Sequence, residues 1–264
     1  MMEYYFAIFV FFVGLCIGSF ANVCIYRLPK KMSIVKPGSS CPACQTSIKP
    51  WHNIPLVSFI ILGGKCKYCG TSISWRYPII EFICGVMFLY AYYDLFYLNN
   101  NLFLFIVSLY LSSVFLIIFF IDLDHKIIPD SLSLSGIIIG FAISFLPGMP
   151  LDWKGSLIGI LVSGGLFLAI AEIGDRVFKK ESMGGGDIKL AAMMGGFIGW
   201  KGILLVLGIG SFLGAVIGGL SLMLAKDKEA ARTIPFGPFL VTAAIIVFYW
   251  GDDILNAYLR FVGL

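Results

Sequence analysis

Charge is what this sequence has least of. Asp, Glu, Lys and Arg make up 13% of its 264 residues, against about 25% in soluble domains. With 59% hydrophobic residues and a mean hydropathy of +0.94, that scarcity excludes an ordinary water-soluble globular protein. Other absences narrow the reading. No basic stretch precedes the first apolar run, which is also longer than the core of a usual signal peptide, so residues 5–26 are expected to stay as a helix. The apolar runs show no convincing repeat, and no low-complexity tail follows them. The glycine spacing and Lys-Ser/Thr ending of a phosphate-binding P-loop are missing, as is a Gly-rich dinucleotide fingerprint. The net charge of +4 reflects basic loops facing anionic lipid headgroups and gives no reason to invoke nucleic acid.

What is present is a series of runs approaching the ~20 apolar residues that span a bilayer core as a helix. They predict an all-α polytopic membrane protein with about eight transmembrane helices, near 5–26, 78–98, 102–121, 131–147, 155–174, 188–200, 202–225 and 234–250. The sixth is short and Gly-rich. Basic loops stay cytoplasmic. The stretch from Arg27 to Arg76 holds Arg27, Lys30, Lys31, Lys36, Lys49, Lys65, Lys67 and Arg76, with no acid. Arg176, Lys179 and Lys180 fall on the same side, as do Lys226, Lys228 and Arg232. Lys154, Lys201 and Arg260 are opposite. Both termini are then outside, and the acids Asp122 and Asp187 near the span ends face the cytoplasm. Glycines such as Gly208, Gly210, Gly214, Gly218 and Gly219 are expected to serve close helix packing in lipid.

One segment is unlike membrane. Residues 27–77 are basic, rich in Pro, Gly and Ser, and contain Cys41-Pro42-Ala43-Cys44 and Cys66-Lys67-Tyr68-Cys69. Four thiolates on two such knuckles match a closed tetrahedral zinc site, although the 21 residues between them exceed the usual ribbon window. The segment has too little apolar material for a core of its own, so a structural zinc held by Cys41, Cys44, Cys66 and Cys69 would supply folding energy. Disulfides and free thiols are the alternatives, the first disfavoured in a reducing compartment. Cys16, Cys24 and Cys84 are expected in the helical core, and His52 at the surface. The chain thus divides into a first helix (1–26), a cytoplasmic four-cysteine zinc-binding insertion (27–77) and a seven-helix core (78–264).

A charge at the edge of hydrocarbon is costly, which makes an acid there a candidate functional residue. Asp187 lies in Met183-Gly184-Gly185-Gly186-Asp187-Ile188-Lys189, ahead of an apolar run, and Asp122 closes Ile117-Ile118-Phe119-Phe120-Ile121-Asp122. Two such carboxylates brought together could share a proton and hydrolyse a peptide bond around one water. Gly184, Gly185 and Gly186 give the backbone before Asp187 freedom, including positive φ, and leave room for an extended substrate. A helix N-cap is the plainer role for Asp187. Asp122 competes with Asp124, because residues two apart on a helix point to different faces; Asp122 abuts the apolar run and should be the more desolvated. Asp130 is expected to cap a helix, Glu172 to make a buried hydrogen bond, and Glu81 to pair with Arg76. From the residues alone, an ion-coupled transporter with intramembrane carboxylates and a zinc-bearing scaffold remain as rivals.

Gly18-Ser19-Phe20-Ala21-Asn22-Val23 with Arg27-Leu28-Pro29, both cysteine knuckles, and Ile73-Ser74-Trp75-Arg76-Tyr77-Pro78 with Glu81 together resemble one known family. So do Asp122-Leu123-Asp124 with Ile128-Pro129-Asp130, the Gly184–Lys189 motif and Pro235-Phe236-Gly237-Pro238. The family is that of the type IV prepilin peptidases, bifunctional leader peptidase/N-methyltransferases, and the likeness runs nearly end to end. It implies an intramembrane aspartyl protease of the GxGD kind, with Asp122 and Asp187 catalytic and Gly184, Gly185, Gly186 and Lys189 in the active-site loop. It further implies a bacterial inner-membrane location with the site facing the cytoplasm, and type IV prepilins or pseudopilins as substrates. Methylation of the new N-terminus from S-adenosylmethionine rests on the resemblance alone, with no residues assigned to the donor.

Overall fold

A computed structural model describes residues 2–180, 182–224 and 234–263. Lys226, Lys228 and Arg232 lie outside the described residues. The helices are α1 (Met2–Arg27), α2 (Val57–Ile61), α3 (Arg76–Ala91), α4 (Leu102–His125), α5 (Asp130–Ile143), α6 (Trp153–Phe178) and α9 (Gly237–Val262). A helical run Gly185–Leu224 is broken by Gly199 at φ 78, ψ 168, which separates α7 (185–198) from α8 (200–224). The left-handed φ there is one that a Cβ would strain. Among the described residues no strand forms, only the bridge pairs Ser40–Ser47 and Lys65–Ser72. Among the described residues, six helices are long and apolar enough to cross a membrane: α1, α3 with its π-helical extension to Leu98, α4, α6, the Gly185–Leu224 run and α9. α5 is apolar but shorter. Helices suit lipid because each satisfies its own backbone polar groups. The protein is a multi-pass membrane protein.

Local chemistry sets several boundaries. Asp152 caps α6 by accepting the Gly155 amide at 2.8 Å. α9 carries Pro238 in its first turn, where a missing N–H costs nothing, and it ends at Gly263 in the left-handed conformation. It starts three residues later than the predicted 234–250 span and runs on to Val262.

The chain forms two compact units, Met1–Ile117 and Ile118–Leu264, divided within α4. In the first, α1 packs on α3 at close range: a Cβ at Gly14 would lie 2.8 Å from Gly85 Cα, and one at Gly18 2.7 Å from Glu81 Cα. Phe6, Tyr92, Phe96 and Phe105 cluster at the far end, with Phe6 and Tyr92 ring centroids 5.3 Å apart. In the second unit α6 crosses α7 where Gly159 meets Gly195 backbone to backbone, and Ser156 Oγ donates to Gly196 O at 2.9 Å. On α5, Gly136 and Gly140 receive Met193 and Phe197.

Several sequence expectations change here. Of the five glycines assigned to packing, Gly210 and Gly214 sit against α9 or its approach, but Gly208, Gly218 and Gly219 have nothing within 4 Å. Cys24 and Cys84 are buried, whereas Cys16 faces outward. Glu172 makes no buried hydrogen bond; it forms an exposed ion pair with Arg176 at 3.3 Å, one helical turn on. His52 is half-buried rather than at the surface, with Nδ1 shielded and unpartnered among the described residues. Its ring lies against Trp51 and Tyr68. Glu81 is buried and accepts the Leu56 amide at 2.9 Å.

Candidate active site

Three chain segments of the second unit converge on the two aspartates. Asp122 is near the C-terminal end of α4 and only 5% exposed. Asp124 and His125 beside it are exposed, so the face of the helix separates the acids that spacing had left in competition. The Gly237 amide, at the first residue of α9, hydrogen-bonds the Asp122 carboxylate. A Cβ on Gly237 would collide with that carboxylate, so this residue must be glycine for the contact to exist. A helix N-terminus is also a favourable place to hold a negative charge.

Asp187 is half-buried in the first turn of α7. Its amide donates to Gly184 O at 3.0 Å, and the Gly184 amide hydrogen-bonds its carboxylate. Ile128, in the turn after α4, approaches Gly186 and so brings the end of the helix that carries Asp122 to the start of the one that carries Asp187. Gly184, Gly185 and Gly186 do not adopt positive φ, contrary to expectation. Their use is steric: a Cβ at Gly186 would press to 3.0 Å on Ile128, while one at Gly185 would meet nothing within 4 Å. Lys189 sits on α7 rather than in a loop, and its Nζ is 2.7 Å from Asp130 Oδ1. Asp130, expected as a cap, makes no capping bond; Pro129 is the N-cap and Asp130 the first helical residue. The ion pair ties the turn after Asp122 to the helix that carries Asp187.

Gly237, Ile128 and the Asp130–Lys189 pair had no role assigned from sequence. A signal existed for Gly237, since Gly followed by Pro marks a helix start. Nothing in one dimension pairs residues 59 apart.

In the first unit the four knuckle sulfurs lie within 4.8 Å of one another. Cys41 and Cys69 Sγ are 3.8 Å apart. A tetrahedron with Zn–S bonds of about 2.3 Å has edges of about 3.8 Å, so the donor set fits a metal. The knuckles are copies: Cys41-Pro42-Ala43-Cys44-Gln45-Thr46-Ser47-Ile48 against Cys66-Lys67-Tyr68-Cys69-Gly70-Thr71-Ser72-Ile73. In each, the first Cys amide donates to the Thr carbonyl (3.0 and 2.8 Å), and the residue after the second Cys donates back (2.8 and 3.0 Å). That residue has a left-handed φ in both, Gln45 at 56° and Gly70 at 71°. Hydrogen bonding with the Thr71 side chain, then with its backbone, draws the Cys69 thiol down to about 6. The Thr46 side chain, then its backbone, lower Cys44 likewise. Both favour the thiolates that a metal needs.

Residues 12–95 match the bacterial peptidase A24 N-terminal domain and residues 109–219 the type IV leader peptidase family. A protein of Myxococcus xanthus (strain DK1622) named prepilin leader peptidase/N-methyltransferase is 40% identical over 228 residues, covering 86% of this chain and 66% of that protein. The protein of that name from Pseudomonas aeruginosa is 34% identical over 275 aligned positions, covering 95% and 92%. That from Stutzerimonas stutzeri is 35% identical over 276, covering 96% and 93%. No solved structure matches.

Proposed function

Because the chain belongs to the type IV leader peptidase family, we propose that Asp122 and Asp187 form the aspartyl dyad with which it cuts prepilin leaders. The observation that carries this is a buried carboxylate at the end of α4 and a half-buried one at the start of α7, on segments joined by the Ile128–Gly186 approach and the Asp130–Lys189 pair. One carboxylate takes a proton from a water, whose oxygen attacks the scissile carbonyl. The other, protonated, gives its proton to the carbonyl oxygen. Collapse of the tetrahedral intermediate returns a proton to the leaving amine and breaks the C–N bond. The Gly237 and Gly184 amides hold the two carboxylates, and the open side of Gly185 leaves room for an extended backbone. N-methylation of the freed amine, the second activity in the relatives' names, uses S-adenosylmethionine as donor. The protein lies in the bacterial inner membrane among its lipids, with the dyad facing the cytoplasm, where a basic leader stays. A transporter reading finds no support in the relatives.

The direct test is purified protein incubated with a prepilin and isotopically labelled S-adenosylmethionine. Leader loss followed by label on the new N-terminus is expected; an uncut prepilin would end the reading.

Cys41, Cys44, Cys66 and Cys69 hold a structural zinc that closes the insertion. Metal analysis should find one zinc per chain, absent from Cys66→Ser. Chelation should leave the segment around residues 39–73 open to protease, since structural zinc contributes about 10–16 kcal/mol to folding in small knuckle domains. Intact proteolytic resistance after complete zinc removal would contradict this role.

The Lys189–Asp130 pair is partly exposed at both ends, 40% and 59%, so it contributes about 0–1 kcal/mol. Lys189→Met should therefore lower kcat by no more than about fivefold. The reversed pair Lys189→Asp with Asp130→Lys should recover much of the loss. Failure of the reversed pair to exceed either single variant would exclude a tether by charge.

A further inference from the structure

Outside the membrane-spanning helices, one short helix wears its apolar side outward. Ser58 of α2 is buried, taking the Ile54 amide at 2.8 Å and donating to Trp51 O at 3.3 Å. Val57, Ile60 and Ile61, spaced i, i+3 and i+4, share one face and are all exposed, the two isoleucines 76% each. Ile54 is exposed beside them, and Trp51 and Trp75 flank the helix at 61% and 71% exposure. Phe59 packs on Trp75 with ring centroids 4.8 Å apart. A contiguous exposed apolar patch of this kind marks an interaction surface.

Three observations select its occupant. The insertion leaves α1 at Arg27 and rejoins α3 at Arg76, so both ends are fixed to membrane-spanning helices. The start of α2 is held to α3 as well, through the Leu56 amide and buried Glu81. The stretch Arg27–Arg76 has eight basic residues and no acid, which complements anionic headgroups and opposes the basic leader of a prepilin. Tryptophan belongs at the headgroup level, and Lys49 Nζ sits 5.4 Å over the Trp51 ring, a cation at the polar end of an apolar body.

We propose that α2, with Trp51 and Trp75 beside it, is an interfacial foot. It lies in the plane of the anionic leaflet, with Val57, Ile60 and Ile61 in the acyl boundary and Lys49 among the headgroups. The zinc knuckles are then held against the membrane surface rather than projecting from it. Interfacial helices of this type bury about 5–10 Å into the boundary. The inference rests on the multi-pass membrane reading and is independent of the peptidase chemistry.

The test uses full-length protein in nanodiscs, with Trp153, Trp200 and Trp250 replaced by Phe so that only Trp51 and Trp75 report. Lipids brominated in the acyl chain should quench most of the emission, aqueous acrylamide little of it. Quenching should weaken when phosphatidylglycerol is exchanged for phosphatidylcholine. Ile60→Glu with Ile61→Glu should reverse the preference toward acrylamide. Amide exchange across residues 54–62 of the unsubstituted protein gives a second readout, slow in phosphatidylglycerol nanodiscs and fast in phosphatidylcholine. Strong acrylamide quenching with no effect of bromolipid overturns the foot. Protection that depends on protein density, or that arises only when prepilin is added, overturns it in favour of a second copy or the substrate.

Discussion

Asp122→Asn and Asp187→Asn should each lose leader cleavage by about 10²–10⁴-fold or more, the usual span for a positioned acid or base, while Asp124→Asn stays near wild type. Asn keeps the size and the hydrogen-bonding edge of Asp but cannot accept the water's proton or pass one to the scissile carbonyl. Asp122 is nearly closed off from solvent and held by the Gly237 amide; Asp124 faces outward two residues on. The comparison is made in single-turnover assays on purified protein, with thermal unfolding as the check on fold. Loss in Asp124→Asn with retention in Asp122→Asn would keep an aspartyl protease and move its second carboxylate. Full cleavage by Asp187→Asn would remove the mechanism. Gly237→Ala provides an internal control, because it leaves both acids in place and pushes a Cβ into the Asp122 carboxylate.

Gly195→Leu should be the most damaging substitution away from the carboxylates. At the α6–α7 crossing, a Cβ on Gly195 runs into the Gly159 carbonyl and the Ser163 hydroxyl. The obstacle is largely backbone, so no rotamer relieves it, and overpacking of this kind costs about 1–3 kcal/mol or more. In lipid there is little hydrophobic force to restore the contact, since close packing itself holds the helices together. The Ser156–Gly196 hydrogen bond beside it would be lost as well, and Asp187, two turns earlier on the same helix, would shift. Gly165→Leu on α6, with nothing within 4 Å, should be tolerated. Thermal unfolding and leader cleavage of the two variants decide the matter: equal stability would show that the crossing is not a constraint.

The features legible in one dimension were those carried by run length and local spacing. Apolar runs marked the helices because a bilayer crossing needs a fixed number of residues, and the break between the runs ending at 200 and starting at 202 falls at Gly199. Two Cys-x-x-Cys pairs predicted the four-sulfur cluster because each knuckle is a local turn. Glycine-rich sequence singled out the start of α7. What was lost was facing. Helix α4 is apolar nearly all round, and lipid tails are as apolar as a protein core, so hydropathy does not tell an inward residue from an outward one. The sequence by itself therefore determined a helical membrane protein, its cysteine knuckles and an aspartate at position 187. Only the tertiary structure decided that Asp122 turns inward and Asp124 outward, and that Cys16 and Glu172 face away from the core. It also decided that Gly159 and Gly195, rather than Gly218 and Gly219, carry the close approach. Each of these depends on which helix lies alongside, and in lipid that is set by shape and hydrogen bonding between neighbours rather than by the hydrophobicity of either one.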